Sequence, residues 1–349
     1  MKIKYLVLAL TLAFVNYSCS LFYVAKQGVY QMKLLAGAEP IELALRRINL
    51  PKEPRAKLIL ISKVREFSQK NLKLVADKNY KNVNLSWHNI IHNVSASEKL
   101  AFKPYLWWFP IIGAVPYKGY FDEKDAQAEI KRLKSLGLDT LKRRVGGYST
   151  LGYFSDPVWP TMLEMRDEAL AELIIHELAH ATVYIANQTP FNETFANFVG
   201  KTGARMFYVD KFGENSEEVR RLDKFYQHEK EYNKFFSDLY VKLDNIYKKN
   251  ISQDEKKSAQ QKILLDAQAR YELTPISKEF IIADWSRINN AYLLAFKAYN
   301  YDEAVFADLF KLVNYDFKRF LAEVAAHSQG PDPFLSLRQY INNTGTYEL

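Results

Sequence analysis

The chain has 349 residues, 48% of them hydrophobic and 25% charged, an ordinary globular balance that can fill one large domain or two modest ones. Its single cysteine excludes an intrachain disulfide. The formal charge of +8 is spread along the chain, which reads as a solvated surface compatible with anionic lipid headgroups. No nucleic-acid module or basic stripe accompanies it, so no nucleic-acid partner is expected.

The first segment, "MKIKYLVLALTLAFVNYSCS", sets a basic start before an apolar run from Tyr5 to Val15. That run is shorter than the ~20 residues a bilayer span needs but suits the core of a signal peptide. Cys19 follows among small residues, the arrangement of a bacterial lipoprotein box, with Asn16 standing where an aliphatic residue is usual. Residues 1–18 are therefore expected as a signal peptide and 19–349 as a single domain. The expected anchor is lipid on Cys19, facing the periplasm from the cell envelope; plain export to a soluble form is the alternative.

Residues 22 to 80 read as helices punctuated by Pro51 and Pro54. From about Val83 the chain mixes aromatic and β-branched residues with glycine and proline, the pattern of short strands. In "GAVPYKGYF" two readings stand: an edge strand that aligns an extended peptide, or an ordinary core strand. His88 and His92 share a spacing of four but lie in strand-like surroundings, so they are read as structural. "DEKDAQAEIKRLKSLGL" returns to helix, which Gly137 can end, and "RRVGGYSTLGYFSDP" is strand or loop. Beyond Gly203 the chain is almost wholly helical. A charged helical hairpin is expected at about 214–273, its second helix opened by a Ser252–Glu255 capping box and stopped by Thr274-Pro275.

The chemistry gathers in "AELIIHELAHATVYIANQTPFNETFA". Four residues of helix turn ~400°, so His176 and His180 lie ~40° apart on one face. Both can reach one zinc ion, while Glu177 borders that face and can hold water without binding metal. A catalytic zinc takes three protein ligands and leaves a position open. The first helix is expected to end near Asn187, with Thr189-Pro190 capping the next. Glu193 then falls in its first turn as third ligand, and Ala196 lets the helices approach. Glu168 and Glu172 are rivals on the histidine helix, set too far along its axis to close a tetrahedron easily. Asn192 is expected to orient a ligand. Tyr148 and Tyr153 are candidates to stabilise a developing oxyanion.

The run "HELAHATVYIANQTPFNETFANFVG" resembles the core motif of a bacterial family described as predicted zinc aminopeptidases, many of them envelope lipoproteins. "WWFPIIGAVPYKGYFD", "GYSTLGYFSDP" and "INNAYLLAFKAYNY" are similar in order and spacing, so the resemblance spans most of the chain from about Tyr30. It departs at Asn16 and at Gly147. The resemblance implies one zinc ion held by His176, His180 and Glu193, with Glu177 as catalytic base and Asn289 and Asn290 near the site. It also implies a gluzincin-like, zincin-type metallopeptidase, an α+β fold that is predominantly α-helical with a small β-sheet.

The function expected is a zinc peptidase trimming amino-terminal residues from peptides. An exopeptidase needs an acid for the substrate's α-ammonium, and Asp122, Glu123 and Asp156 are candidates. Two alternatives stand beside it: an envelope endopeptidase, and a non-catalytic lipoprotein scaffold that recruits partners through the hairpin. The oligomeric state is not legible.

Overall fold

Apolar residues recurring at three- and four-residue spacing make helix the main element of this chain, and only short aromatic and β-branched runs leave it. The structure, a computed structural model, describes residues 23–87, 90–109, 113–144, 155–299 and 303–345. Helix α1 covers residues 23–36. After it come β1 (Glu39–Pro40), α2 (Ile41–Leu45), α3 (Lys52–Lys70) and β2 (Asn82–Val83). Next are β3 (His92–Ser97), β4 (Trp107–Phe109), β5 (Gly113–Val115), β6 (Tyr117–Tyr120), α4 (Glu123–Ser135) and β7 (Asp139–Arg144). The short α5 (Pro160–Leu163) leads to α6 (Asp167–Thr182), α7 (Thr189–Phe212), α8 (Glu217–Tyr247) and α9 (Gln253–Glu272). Helices α10 (Asn290–Tyr299), α11 (Ala304–Leu312), α12 (Phe317–His327) and α13 (Pro333–Gly345) close the order. The fold is α+β and predominantly α-helical, as expected.

Strand β3 is the middle of a three-stranded antiparallel sheet in the order β6–β3–β7, with His92 opposite both Tyr120 and Arg144. "GAVPYKGYF" is therefore divided: its first part pairs with β4 in a hairpin, and its second is a sheet edge. Helix α4 covers the sheet with Ala126 and Leu133, and its ends are those the sequence suggests. Asp122 accepts the Lys124 amide at 2.8 Å, and Gly137 takes φ 79° just past the end.

The helical expectation for residues 22 to 80 holds through α3 and then fails. Lys73 and Tyr80 adopt φ of 59° and 56°, and the loop is fixed by partners remote in sequence. The Val75 amide donates to Thr182 Oγ1 (2.9 Å), and the Tyr80 amide donates to the Asp156 carbonyl (2.8 Å). The Arg65 guanidinium holds the carbonyls of Ala76 (2.6 Å) and Asn79 (2.8 Å). Tertiary bonds override helix propensity here.

The largest apolar cluster joins α3, α6, α7 and α11–α13, with Ile61, Ile175, Phe195, Phe306 and Phe320 all fully buried. A second cluster lies inside the hairpin of α8 and α9, where Phe236, Leu239 and Leu243 meet Ala267 and Tyr271. The expected capping box is formed: the Ser252 amide reaches Glu255 Oε2 at 2.8 Å, and the Glu255 amide reaches Ser252 Oγ at 3.2 Å. Among the described residues no helix is long and apolar enough to cross a membrane.

Asn289 and Asn290, which the resemblance sets near the site, join the hairpin, α10 and the sheet. Asn289 Nδ2 donates to the Thr140 carbonyl at 3.1 Å. Asn290 is fully buried; its Nδ2 donates to the carbonyls of Glu98 (3.0 Å), Lys99 (3.0 Å) and Ala101 (3.3 Å), and its Oδ1 accepts from Tyr247 Oη at 2.9 Å. Asn290→Ala removes these four bonds and leaves the Tyr247 hydroxyl without its acceptor, so it is expected to lower stability by about 2–3 kcal/mol, measured as urea unfolding with metal in excess.

Candidate metal centre

Helix α6 carries the histidines on its last two turns because Leu170, Ala171, Ile174, Ile175 and Leu178 occupy its other faces, all buried. It ends at Thr182 rather than near Asn187. The Thr182 hydroxyl donates back to the Leu178 carbonyl (2.7 Å) while accepting the Val75 amide, and Val183 is extended at φ −134°. Residues 183–188 reverse the chain, with Asn187 at φ 61°. Asn192 closes the link: its Oδ1 accepts the Ile185 amide (2.9 Å) and its Nδ2 donates to the Ile185 carbonyl (2.7 Å). Its amide is thus committed to the turn that aims α7. Pro190 lies in the first turn of α7 as expected, where its missing N–H costs nothing.

This geometry brings Glu193 back to the histidines. The Nε2 atoms of His176 and His180 are 3.1 Å apart, His176 Nε2 is 3.6 Å from Glu193 Oε2, and His180 Nε2 is 3.8 Å from Glu193 Oε1. A tetrahedral ion with bonds of ~2.0–2.1 Å sets its ligand atoms ~3.3 Å apart, so these separations bracket what such an ion needs. Among the described residues, His176, His180 and Glu193 form a group that can hold a metal ion. The outer nitrogen of His180 is buried with no hydrogen-bond partner, so the ring's polar contact is at Nε2, inside the group. Glu177, 8% exposed, follows His176 directly.

The close approach of α6 and α7 depends on more than the fully buried Ala196. A Cβ on Gly200 would sit 3.2 Å from both the Glu172 carbonyl and His176 Cβ. One on Gly203 would meet Leu72 Cδ1 at 2.6 Å and Ile175 Cγ2 at 2.9 Å. Neither glycine belongs to the metal motif, although two small residues on the helix that follows it are a readable signal of close packing.

Electrostatics tie the group together. Burial alone would push the Glu193 carboxyl up, but the hydrogen bonds and charges of His176 and His180 outweigh it and bring it down to about 2. Burial likewise opposes a charged His176; Glu193, Glu177 and Glu172 outweigh it, so the ring's pKa stands above its ordinary 6.5.

Glu172 is not in the metal group. It accepts from Tyr226 Oη at 2.9 Å, and burial, with Glu229, pushes its carboxyl up to about 7. Lys201 on α7 pairs with Glu229 (3.0 Å) and Glu303 (3.1 Å). Glu168, the other rival, lies in the first turn of α6, outside the group.

Of the proposed α-ammonium acids, Asp122 caps α4 and Glu123 pairs with Lys142. Asp156 is 1% exposed beside Tyr80, whose fully buried hydroxyl has no hydrogen-bond partner. Burial raises the pKa of that hydroxyl well above 10.0, and the charges of Glu177 and Asp156 add to the shift. Tyr80 is one of 23 tyrosines, and no local motif distinguishes it from the others. Tyr148, Tyr153, His88 and Cys19 lie outside the described residues. His92 is buried in β3. An open cavity of about 710 Å³, lined by Lys224, His228, Lys278 and Glu279 among others, includes none of the metal group.

The family described as "Putative aminopeptidase" matches residues 22–334. The chain belongs to this family. Its description is that of a peptidase, which agrees with the resemblance read from the motif, and its match takes in α6, α7 and the whole hairpin. No curated protein and no solved structure matches the chain.

Three outcomes are expected. A proton on His176 occupies the lone pair a metal needs, so zinc affinity is expected to fall as pH drops through a value above 6.5, checked by competition titration from about pH 5 to 9. In metal-free protein the signs differ by group. The Glu193 contribution is present above pH 4.5 and lost as pH falls toward about 2, whereas that of His176 is present below 6.5 and lost as pH rises through the raised pKa. Gly200→Val must push α7 off α6 beside His176. It is expected to lower zinc affinity at least about tenfold and stability by about 1–3 kcal/mol, read with a chromogenic chelator and thermal unfolding.

Proposed function

We propose that this family member is a zinc-dependent aminopeptidase, lipid-anchored through Cys19 and facing the periplasm, that hydrolyses the first bond of peptides. The observation that carries the reading is the convergence of His176, His180 and Glu193 beside the buried Glu177. His176, His180 and Glu193 would hold the ion, which when bound supplies Lewis-acid polarisation of a carbonyl and acidification of water.

Glu177 borders the ligand face without being part of the group, the position a general base needs. Its carboxylate takes a proton from the attacking water and returns it to the departing amine nitrogen, so water adds across the broken C–N bond. Among the described residues the group offers three ligand atoms, the number a catalytic site with an open position needs. That argues against the scaffold alternative, which has no use for Glu177. Of the acids considered for the α-ammonium group, Asp156 is the one whose charge acts with that of Glu177 on Tyr80. Strand β6 is a sheet edge, but Tyr23 and Gln27 of α1 already take its Gly119 carbonyl and the following Phe121 amide, so a peptide substrate must be aligned elsewhere.

The test compares free and N-acetylated peptides with wild type, Glu177→Gln and Glu193→Ala, counting bound metal. Glu177→Gln is expected to keep its metal and lose about 10²–10⁴ in kcat/KM, while Glu193→Ala loses both metal and turnover. Full activity in Glu177→Gln would remove the proposed base. Turnover of acetylated peptides alone would replace the aminopeptidase with an endopeptidase.

A further inference from the structure

Helix α1 presents an unusual outer face. Its exposed positions are Val24, Ala25, Gly28, Val29, Met32, Lys33 and Ala36, a stripe in the three- and four-residue rhythm of a helix surface. At ~100° per residue these positions cover about half the circumference, with Met32 near the middle and Lys33 at one rim. Val24, Val29 and Met32 are 48%, 55% and 61% exposed, although apolar side chains belong in contact with something other than water.

The helix cannot roll to hide this stripe, because its inner face is pinned. Tyr23 Oη donates to the Gly119 carbonyl, and its ring packs on Phe109 and Tyr120. Gln27 Oε1 accepts the Phe121 amide at 3.2 Å, and Lys26 pairs with Asp125 at 2.6 Å. Tyr30 stacks on Phe121 and meets Trp87 edge-on. Leu34 is fully buried, and its carbonyl accepts Asn84 Nδ2 at 2.8 Å.

We infer that the outer face of α1 is a membrane-contact surface, resting its apolar stripe in the interface of an anionic lipid leaflet. The neighbouring sequence names this occupant. Cys19 precedes Val24 by five residues, so lipid on that cysteine would hold the start of α1 within ~18 Å of the anchor point. A helix lying in the interface buries one apolar face among headgroups and acyl chains, and a rim lysine reaches back to the phosphates; Lys33 is placed for that contact. Without residues 1–18, which carry Lys2 and Lys4 and no acid, the net charge is +8 − 2 = +6, the sign such a leaflet attracts. This inference rests on the lipid-anchor reading for proximity, but the face itself is a separate feature. It would fix how the body sits on the bilayer, where an acyl chain alone would leave it free to tumble.

The test places a cysteine at Met32 (Met32→Cys) and, as control, at the 68% exposed Leu265 on α9 (Leu265→Cys) of the full chain. Each is labelled with an environment-sensitive fluorophore and bound to phosphatidylethanolamine–phosphatidylglycerol vesicles. The label at 32 is expected to shift to the blue on vesicles and to be quenched by spin-labelled lipid at least about threefold more than at 265. Equal quenching at both positions on co-sedimenting protein would overturn the inference and leave the anchor standing. A blue shift at 32 without vesicles would also overturn it. If that shift depended on protein concentration, a second copy would be the occupant; if not, the chain's own first residues would be. Label uptake by the parent chain, whose lone cysteine is Cys19, would sink the anchor instead; the same probe in Cys19→Ser would then decide the face by the same shift.

Discussion

Everything functional in this chain depends on a distance constraint between two helices. Two imidazoles one turn apart on α6 supply only an edge of a metal site, and the third ligand must return from α7 to within ~3–4 Å. Side-chain reach alone does not secure that. The helices must lie unusually close, and Ala196, Gly200 and Gly203 line the approach with the smallest side chains available. The six-residue link has to stop α6 early enough for the chain to turn. Thr182 and Asn192 do this with side-chain bonds to backbone groups, leaving Asn187 to take the left-handed conformation that asparagine tolerates.

Around that constraint the remaining structure acts as bracing. The loop after α3 bonds to the end of α6 through Thr182, so the histidine helix is tied at the point where it stops. On the other flank Tyr226 of α8 donates to Glu172, one turn before His176, and Lys201 of α7 gathers Glu229 and Glu303. These are partly buried charges that would be costly alone, and their pairing links the hairpin and α11 to the helices that carry the candidate ligands. A carboxyl poised at about 7 beside such a site is sensitive to its surroundings, since either protonation state is accessible near neutrality. The outer stripe of α1 extends the same logic outward: its inner face is too well pinned to the sheet region to do anything but present the other side.

The sequence made the site legible where chemistry demanded residue types at fixed spacing. His176, Glu177 and His180 share one helix, and helical geometry alone placed the imidazoles together. Glu193 was reachable because Thr189-Pro190 announced a new helix. The hairpin was equally readable, since Ser252, Glu255 and Pro275 are local signals that need no tertiary partner. Where partners come from far along the chain, legibility fails. The loop of residues 71 to 80 looks helical until Thr182, Asp156 and Arg65 claim its backbone. Tyr80, Tyr226 and Lys201 carry no local mark at all. Asn289 and Asn290, associated with the site by resemblance, belong to the junction of hairpin and sheet, which only packing reveals.

The proposed function requires a divalent ion between α6 and α7 with a ligand position left open to solvent. X-ray absorption at the zinc edge, on protein carrying one equivalent of zinc, addresses it directly. Two imidazole nitrogens and one carboxylate at about 2.0–2.2 Å, plus a light atom exchangeable for azide or cyanide, is the predicted environment. A spectrum without paired imidazole scattering, or one saturated by four protein ligands and indifferent to added anion, would contradict it.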